Sequence, residues 1–337
     1  MKNKPYAGAV NLGPPKPPNI KRRFSVTADV VAFRKCARQY GAFKVHSYAP
    51  AFQTTIYFGT LVHQVLDRCH NHFHGMIDPA KAGTLPDDGK VLTRDQIAAW
   101  FDALDQAVRD GNPQPAPPTE MLHYFMEVER GLRSRGIRPV SRDLRVKAAV
   151  ILQNFNAIEG PKLYPRVLDT EYRLQADQQS HILHGVVDLL VEHEGAGTDP
   201  QDCELWDYKG VDPLKLTKSD WETYRFQMRV YARLYQLKHG VFPKRARLYF
   251  VNMLDLDKLP ATTPANAVFD VSLGDPEVGA AEVAFKDTVI DIEAARLADT
   301  WTPPAKSDIS EQTCAICDLR WDCPTANAGT PVKMRYP

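Results

Sequence analysis

Three polar residues set in two apolar runs are the ones best equipped for chemistry. Glu204-Leu205-Trp206-Asp207-Tyr208-Lys209-Gly210 alternates so that Asp207 and Lys209 share one face of a short strand that ends at a glycine. Upstream, Gly185-Val186-Val187-Asp188-Leu189-Leu190-Val191 reads as a buried strand with one carboxylate inside it. A carboxylate in such surroundings needs a partner or a metal. Together the three residues offer oxygen donors for a hard divalent cation and an ammonium for a phosphate or a water molecule. A lone Asp-x-Lys pair reads as a solvated strand edge, so the assignment depends on what surrounds it.

The elements that must carry these residues follow from periodicity. Val167 to Leu174, Ile182 to Glu192 and Glu204 to Lys209 form the expected sheet core, and Arg245 to Met253 and Ala267 to Leu273 add strands. Glu171 on the first of these could supply another acid at the edge of the site, or pair with an arginine. Trp221 to Leu237 predicts a long amphipathic helix in which Gln227 and Tyr231, one i,i+4 interval apart, point the same way and reach one ligand together. An earlier helix is predicted to open at Gly59-Thr60, with His63 either half-buried and satisfied or a metal contact. His70, His72 and His74 near its end have a spacing that could bind zinc, although a solvated helix end explains them as well. Helical periodicity over Asp95 to Val108, Glu120 to Leu132 and Arg142 to Ile158 predicts a helical insertion over residues 76–160.

Residues 1–23, rich in Pro, Gly, Asn and Lys, predict a mobile lead or a strap laid on another surface, and residues 326–337 a tail. Ser25 or Thr27 is placed to cap a helix running through Cys36 to Tyr40. The chain of 337 residues, 44% hydrophobic and 25% charged, has an ordinary globular composition. Its 42 basic against 41 acidic residues give a net charge of +1 and no broad attraction for nucleic acid, so any such contact must be local, for example at Arg22, Arg23, Arg34, Lys35 and Arg38. Prolines stand where a secretory leader needs apolar residues, and no run approaches membrane-spanning length, which predicts a cytoplasmic or otherwise intracellular protein. Six cysteines then read as thiols or ligands rather than a disulfide scaffold. Cys314, Cys317 and Cys323 cluster near the C-terminus; with the distant Cys36 they allow a four-thiolate centre, while Cys-x2-Cys alone fits redox or zinc chemistry.

The combined order resembles the RecB-like branch of the PD-(D/E)XK nuclease superfamily, especially Cas4-like and AddB-like domains with an iron-sulfur cluster. Gly59-x3-His63 looks like the first active-site helix, Asp188 the second-strand metal ligand, Asp207-x-Lys209 the acid-x-lysine signature, and Gln227-x3-Tyr231 the helix motif that follows. The likeness covers residues 24–325, with 76–160 its least specific part. One departure is Ala37, where the first cluster cysteine is commonly followed by proline. Another is the lack of a Gly-x4-Gly-Lys-Ser/Thr phosphate loop, so no helicase motor is expected in this chain.

What the resemblance implies is a mixed restriction-endonuclease-like sheet flanked by helices and a terminal iron-sulfur region. It implies Mg2+ or Mn2+ held by His63, Asp188, Asp207 and the Tyr208 carbonyl, with Lys209 addressing water or the scissile phosphate and Gln227 and Tyr231 orienting DNA or the lysine. A 4Fe-4S cluster on Cys36, Cys314, Cys317 and Cys323 would staple the two ends of the chain. The implied activity is exonucleolytic DNA hydrolysis at single-stranded or frayed ends, in repair or recombination beside a helicase, recombination or spacer-acquisition partner. An endonuclease or spacer-processing subunit, a noncatalytic DNA-binding scaffold and a zinc protein with an unrelated core are the competing readings.

Overall fold

A computed structural model describes residues 21–48, 54–77, 85–139, 141–309, 313–314 and 317–326. Residues 1–20 of the expected lead and 327–337 of the expected tail lie outside them. At the centre is a six-stranded mixed sheet. Its strands are β1 (Arg22–Ser25), β2 (Val167–Asp177), β3 (His181–Glu192), β4 (Cys203–Lys209), β5 (Arg245–Phe250) and β6 (Val268–Val271). The long helices are α1 (Thr54–Phe73), α2 (Arg94–Asp110), α3 (Glu120–Ser134), α4 (Arg142–Ile158), α5 (Lys218–His239) and α6 (Asp275–Ala298).

The helix ends follow local chemistry. Thr93 and Gln96 form a reciprocal capping box on α2, Thr119 and Ser141 cap α3 and α4, and Thr217 with Asp220 caps α5. Gly240, at φ 81°, closes α5 in the left-handed conformation that glycine adopts without penalty. Helix α1 begins at Thr54 rather than at Gly59, which sits in its interior. Ser25, not Thr27, accepts the capping bond from Ala28 N, and the helix it starts is interrupted at Cys36, whose backbone is extended at φ −164°.

The sheet separates two apolar cores. Trp206, Tyr208 and Tyr249 pack on one side against α1, α2, α3 and α4. Leu205, Leu248 and Phe250 pack on the other against α5 and α6. The alternation in β4 therefore does not divide core from solvent. Its residues are buried from Cys203 to Tyr208, as expected of an inner strand covered on both faces.

One irregularity positions everything that follows. Strand β2 pairs antiparallel along one edge of β3. On the opposite edge, β1 pairs parallel with His181 to His184, and β4 pairs antiparallel with Leu189 to Glu192 only. Between Gly185 and Asp188 the strands fork. β1 begins at Arg22, inside the segment expected to be a lead, so that boundary moves: Arg22 and Arg23 belong to the sheet.

Candidate active site

The fork brings together the residues the sequence singles out. Pairing of β3 with β4 ends at Leu189 and Trp206, and one residue further Asp188 takes over with its side chain: Tyr208 N donates to Asp188 Oδ2 at 2.6 Å. In an extended strand the N–H and C=O of one residue point the same way, so the Tyr208 carbonyl is directed into the fork as well. From α1, His63 Nδ1 lies 3.0 Å from Asp188 Oδ1. If Nδ1 carries the proton for that bond, Nε2 is the nitrogen left for another ligand.

Asp207 and Lys209 project from β4 toward α5. The Lys209 ammonium lies 2.5 Å from Asp207 Oδ2. Gln227 bridges the pair: its Oε1 accepts from Lys209 Nζ at 2.8 Å, and its Nε2 donates to Asp207 Oδ1 at 2.7 Å and to the Tyr231 hydroxyl at 3.1 Å. Asp207, Gln227 and Tyr231 are all buried, so these are charge-assisted bonds in a low-dielectric setting. The close approach of α5 depends on Gly185, where a Cβ would stand 2.5 Å from the Tyr231 ring.

The titratable groups of the site shift one another. Burial pushes the Asp207 carboxyl above its usual range, Lys209 pulls it down, and Asp188 raises it again. Asp188 is held below its usual range because His63 and the Tyr208 N–H outweigh burial. Burial opposes a charge on His63, but Asp188 and Asp207 raise it to about 9. Asp207 Oδ2 is buried with no hydrogen bond, leaving only the ion pair to Lys209 to offset its desolvation. Oxygen donors from Asp188, Asp207 and Tyr208 with one imidazole suit Mg2+ or Mn2+. Among the described residues no group of three or more His, Cys, Asp or Glu is already spaced as a metal cage; here the Lys209 ammonium rests on the carboxylate a cation would use.

Three neighbours sharpen the site. The register sets Glu171 opposite Asp188, with a left-handed backbone at φ 50° in the middle of β2. Burial, then Asp188 and Asp67, raise its carboxyl, while His63 opposes them. Tyr224, whose ring centroid is 4.7 Å from Lys209 Nζ, sits three residues before Gln227 on the same helical face, a spacing that could have revealed it. His70 is buried rather than solvated, and its Nε2 lies 2.9 Å from the Tyr208 hydroxyl. With His72 at the Tyr124 hydroxyl and His74 at the Tyr164 carbonyl, the three histidines diverge to separate partners, so the zinc reading of their spacing fails.

The terminal cysteines also converge. Cys36, Cys314, Cys317 and Cys323 line one small cavity of about 10 Å3, none is in a disulfide, and among the described residues they are not already spaced as a metal cage. Arg38 ties the two regions together through the carbonyl and carboxylate of Asp322 at 3.0 and 2.9 Å. Burial raises the Cys36 thiol, with Cys317 and Cys323 adding to the effect against two backbone N–H groups. Sulfur donors alone suit a thiolate-held centre such as a cluster or zinc. Of the basic residues considered for DNA, Arg22 bonds Glu293 at 2.8 Å, Arg38 bonds Asp322, and Arg34 lies 4.3 Å from the Phe226 ring centroid. Each of these three already has a partner on the protein.

No helix among the described residues is long and apolar enough to cross a membrane. No curated protein matches the chain. Among solved structures, a proposed exonuclease from Eubacterium rectale aligns over 100% of this chain and 97% of its own at 12% identity, with a TM-score of 0.37, too slight a likeness to bear on fold or activity. A profile of the PD-(D/E)XK nuclease superfamily matches residues 23–324, which span the fork, the Asp-x-Lys strand and all four converging cysteines, and the chain therefore belongs to that superfamily.

Proposed function

We propose that this chain is a metal-dependent DNA exonuclease that hydrolyses phosphodiester bonds at single-stranded or frayed ends. The observation that carries the reading is the hydrogen-bonded set Asp188, Asp207, Lys209 and Gln227 at the opening between β3 and β4. His63, Asp188, Asp207 and the Tyr208 carbonyl are the groups that would hold Mg2+ or Mn2+. Such an ion lowers the pKa of water and offsets charge gathering on phosphate oxygens. Lys209 adds an ammonium to the scissile phosphate or orients the water, Gln227 fixes where that ammonium sits, and Tyr231 holds Gln227. Hydrolysis adds water across one P–O bond and leaves an alcohol on one fragment and a phosphate monoester on the other.

The preference for DNA ends follows from the resemblance to AddB-like and Cas4-like domains, as does a helicase, recombination or spacer-acquisition partner. Residues 24–325 form the nuclease domain in this reading, with 76–160 an insertion in it. A 4Fe-4S cluster on Cys36, Cys314, Cys317 and Cys323 closes the domain by joining its two ends, supported by the single cavity those four thiols line. Matched linear and closed circular DNA, incubated with protein and Mn2+, tests the activity. Loss of linear DNA with circles intact supports an exonuclease; cut circles replace it with the endonuclease reading. Protein purified without oxygen should carry iron and thiolate-to-iron absorbance that Cys317→Ser diminishes; zinc without iron rejects the cluster.

A further inference from the structure

Helix α6 buries Val278, Ala281, Phe285, Val289 and Ile292, the last four in the core it shares with α5. A surface helix of this kind ordinarily turns polar residues outward. Instead, Val283, Ile290 and Leu297, spaced by seven, are 58%, 65% and 88% exposed. Ala280, three residues before Val283, and Ala294, between Ile290 and Leu297, lie exposed on the same stripe. Positions 280, 283, 287, 290, 294 and 297 thus alternate by three and four, the spacing of the a and d positions of a helix-helix seam. The one charged residue among them is Asp287. The seam runs about 26 Å along the helix at 1.5 Å per residue.

We propose that this face pairs with the same face of a second copy, the two α6 helices antiparallel about a two-fold axis. The choice of occupant rests on complementarity within the stripe itself. In an antiparallel pair an a residue faces a d residue. The register that sets Leu297 of one copy against Ala280 of the other also sets Val283 against Ala294, large against small, and puts Asp287 against Ile290 on either side of the axis, where each carboxylate must turn outward to stay solvated. It places Lys286 of each copy beside Glu293 of the other, so the two-fold axis creates two flanking ion pairs of opposite charge. A parallel pair, or an antiparallel pair centred on Asp287, would oppose Asp287 to itself and is disfavoured by like charge. In the single chain Lys286 bonds Glu282 and Glu293 bonds Arg22, both at the surface. Exposed pairs of that kind are worth about 0–1 kcal/mol and exchange at little cost.

Sedimentation equilibrium of the full chain tests the proposal. Because the seam is one helix wide, dimerisation is expected with a Kd on the order of 10 µM. Ile290→Glu alters a solvent-exposed position and should weaken the dimer at least tenfold without lowering the melting temperature measured well below the Kd, where wild type is also a monomer. Lys286→Glu alone should weaken it by about tenfold, and Lys286→Glu combined with Glu293→Lys should recover most of that loss. A wild-type monomer throughout the concentration range overturns the proposal, as does a dimer indifferent to Ile290→Glu. If the charge exchange leaves the dimer as weak as Lys286→Glu alone, the antiparallel register is wrong. A monomer that dimerises only when residues 1–20 are removed would assign the face to that segment instead.

Discussion

Replacing Gln227 by methionine preserves side-chain length and volume while deleting both an acceptor and a donor from the site. Lys209 Nζ loses its 2.8 Å acceptor and Asp207 Oδ1 loses its 2.7 Å donor. Since Asp207 Oδ2 already lacks a hydrogen bond, the buried carboxylate would keep only its ion pair. Leaving one buried acceptor without its donor costs about 1–3 kcal/mol, more for a charged group. The ammonium, left with Asp207 and the Tyr224 ring as partners, can then shift about the Lys209 stem, and a misplacement of about 1 Å at a reacting centre costs on the order of 100-fold in rate. Two measurements separate these effects: urea unfolding at neutral pH, and single-turnover cleavage of end-labelled DNA at saturating protein and metal. The expected outcome is a stability loss of about 2–3 kcal/mol and a cleavage rate lower by on the order of 100-fold, with DNA affinity within about threefold of wild type. A Gln227→Met protein that cleaves within about twofold of wild type while folding normally would refute the claim that Gln227 holds the lysine in place.

Gly185→Ala inserts a Cβ 2.5 Å from the Tyr231 ring and 3.3 Å from Val26, so the β3–α5 contact must open; thermal unfolding should reveal a loss of about 1–3 kcal/mol, and an unchanged melting temperature would contradict the packing. Glu204 is buried, and burial opposes its charge, but His193, Trp206 and Arg247 hold its carboxyl below the usual value. A depressed folded-state pKa contributes stability above the unfolded value of about 4.3 that is lost as pH falls through the folded value. Glu204→Gln should therefore be destabilised relative to wild type at neutral pH and less so in acid, as measured by denaturant midpoints across that range; a constant difference would contradict the sign. Substituting His70 by phenylalanine removes the Tyr208 hydroxyl partner from a fully buried site and should cost about 1–3 kcal/mol in unfolding free energy.

The parts of the site legible in the sequence are those fixed by local periodicity. A two-residue period aligns Asp207 with Lys209, and an i,i+4 interval aligns Gln227 with Tyr231. Helices α2, α3 and α4 are readable for the same reason, through apolar repeats bounded by Thr and Ser caps. What escaped depends on contacts distant in sequence. Arg22 and Arg23 have a lead-like neighbourhood and become strand because β3 has an unpaired edge 159 positions further on. The alternation of β4 looks half-exposed, yet α1 to α4 from one side and α5 from the other bury both faces. His70 resembled a solvated helix end until the Tyr208 hydroxyl from β4 reached it. Nothing local marks the left-handed backbone of Glu171, which is visible only once β2 and β3 are in register. The outward apolar spacing of α6 was in the sequence, but only the structure reveals that its other face is the buried one.

The most direct test of the central claim compares wild type with Asp207→Ala and Lys209→Ala on end-labelled linear DNA, with Mg2+ or Mn2+ and with chelator. Wild-type cleavage that requires metal, and a loss on the order of 1000-fold or more in both variants while each remains folded and binds DNA, is the predicted result. Equal metal-dependent digestion by all three proteins would place the chemistry elsewhere and remove Asp207 and Lys209 from the centre of the site.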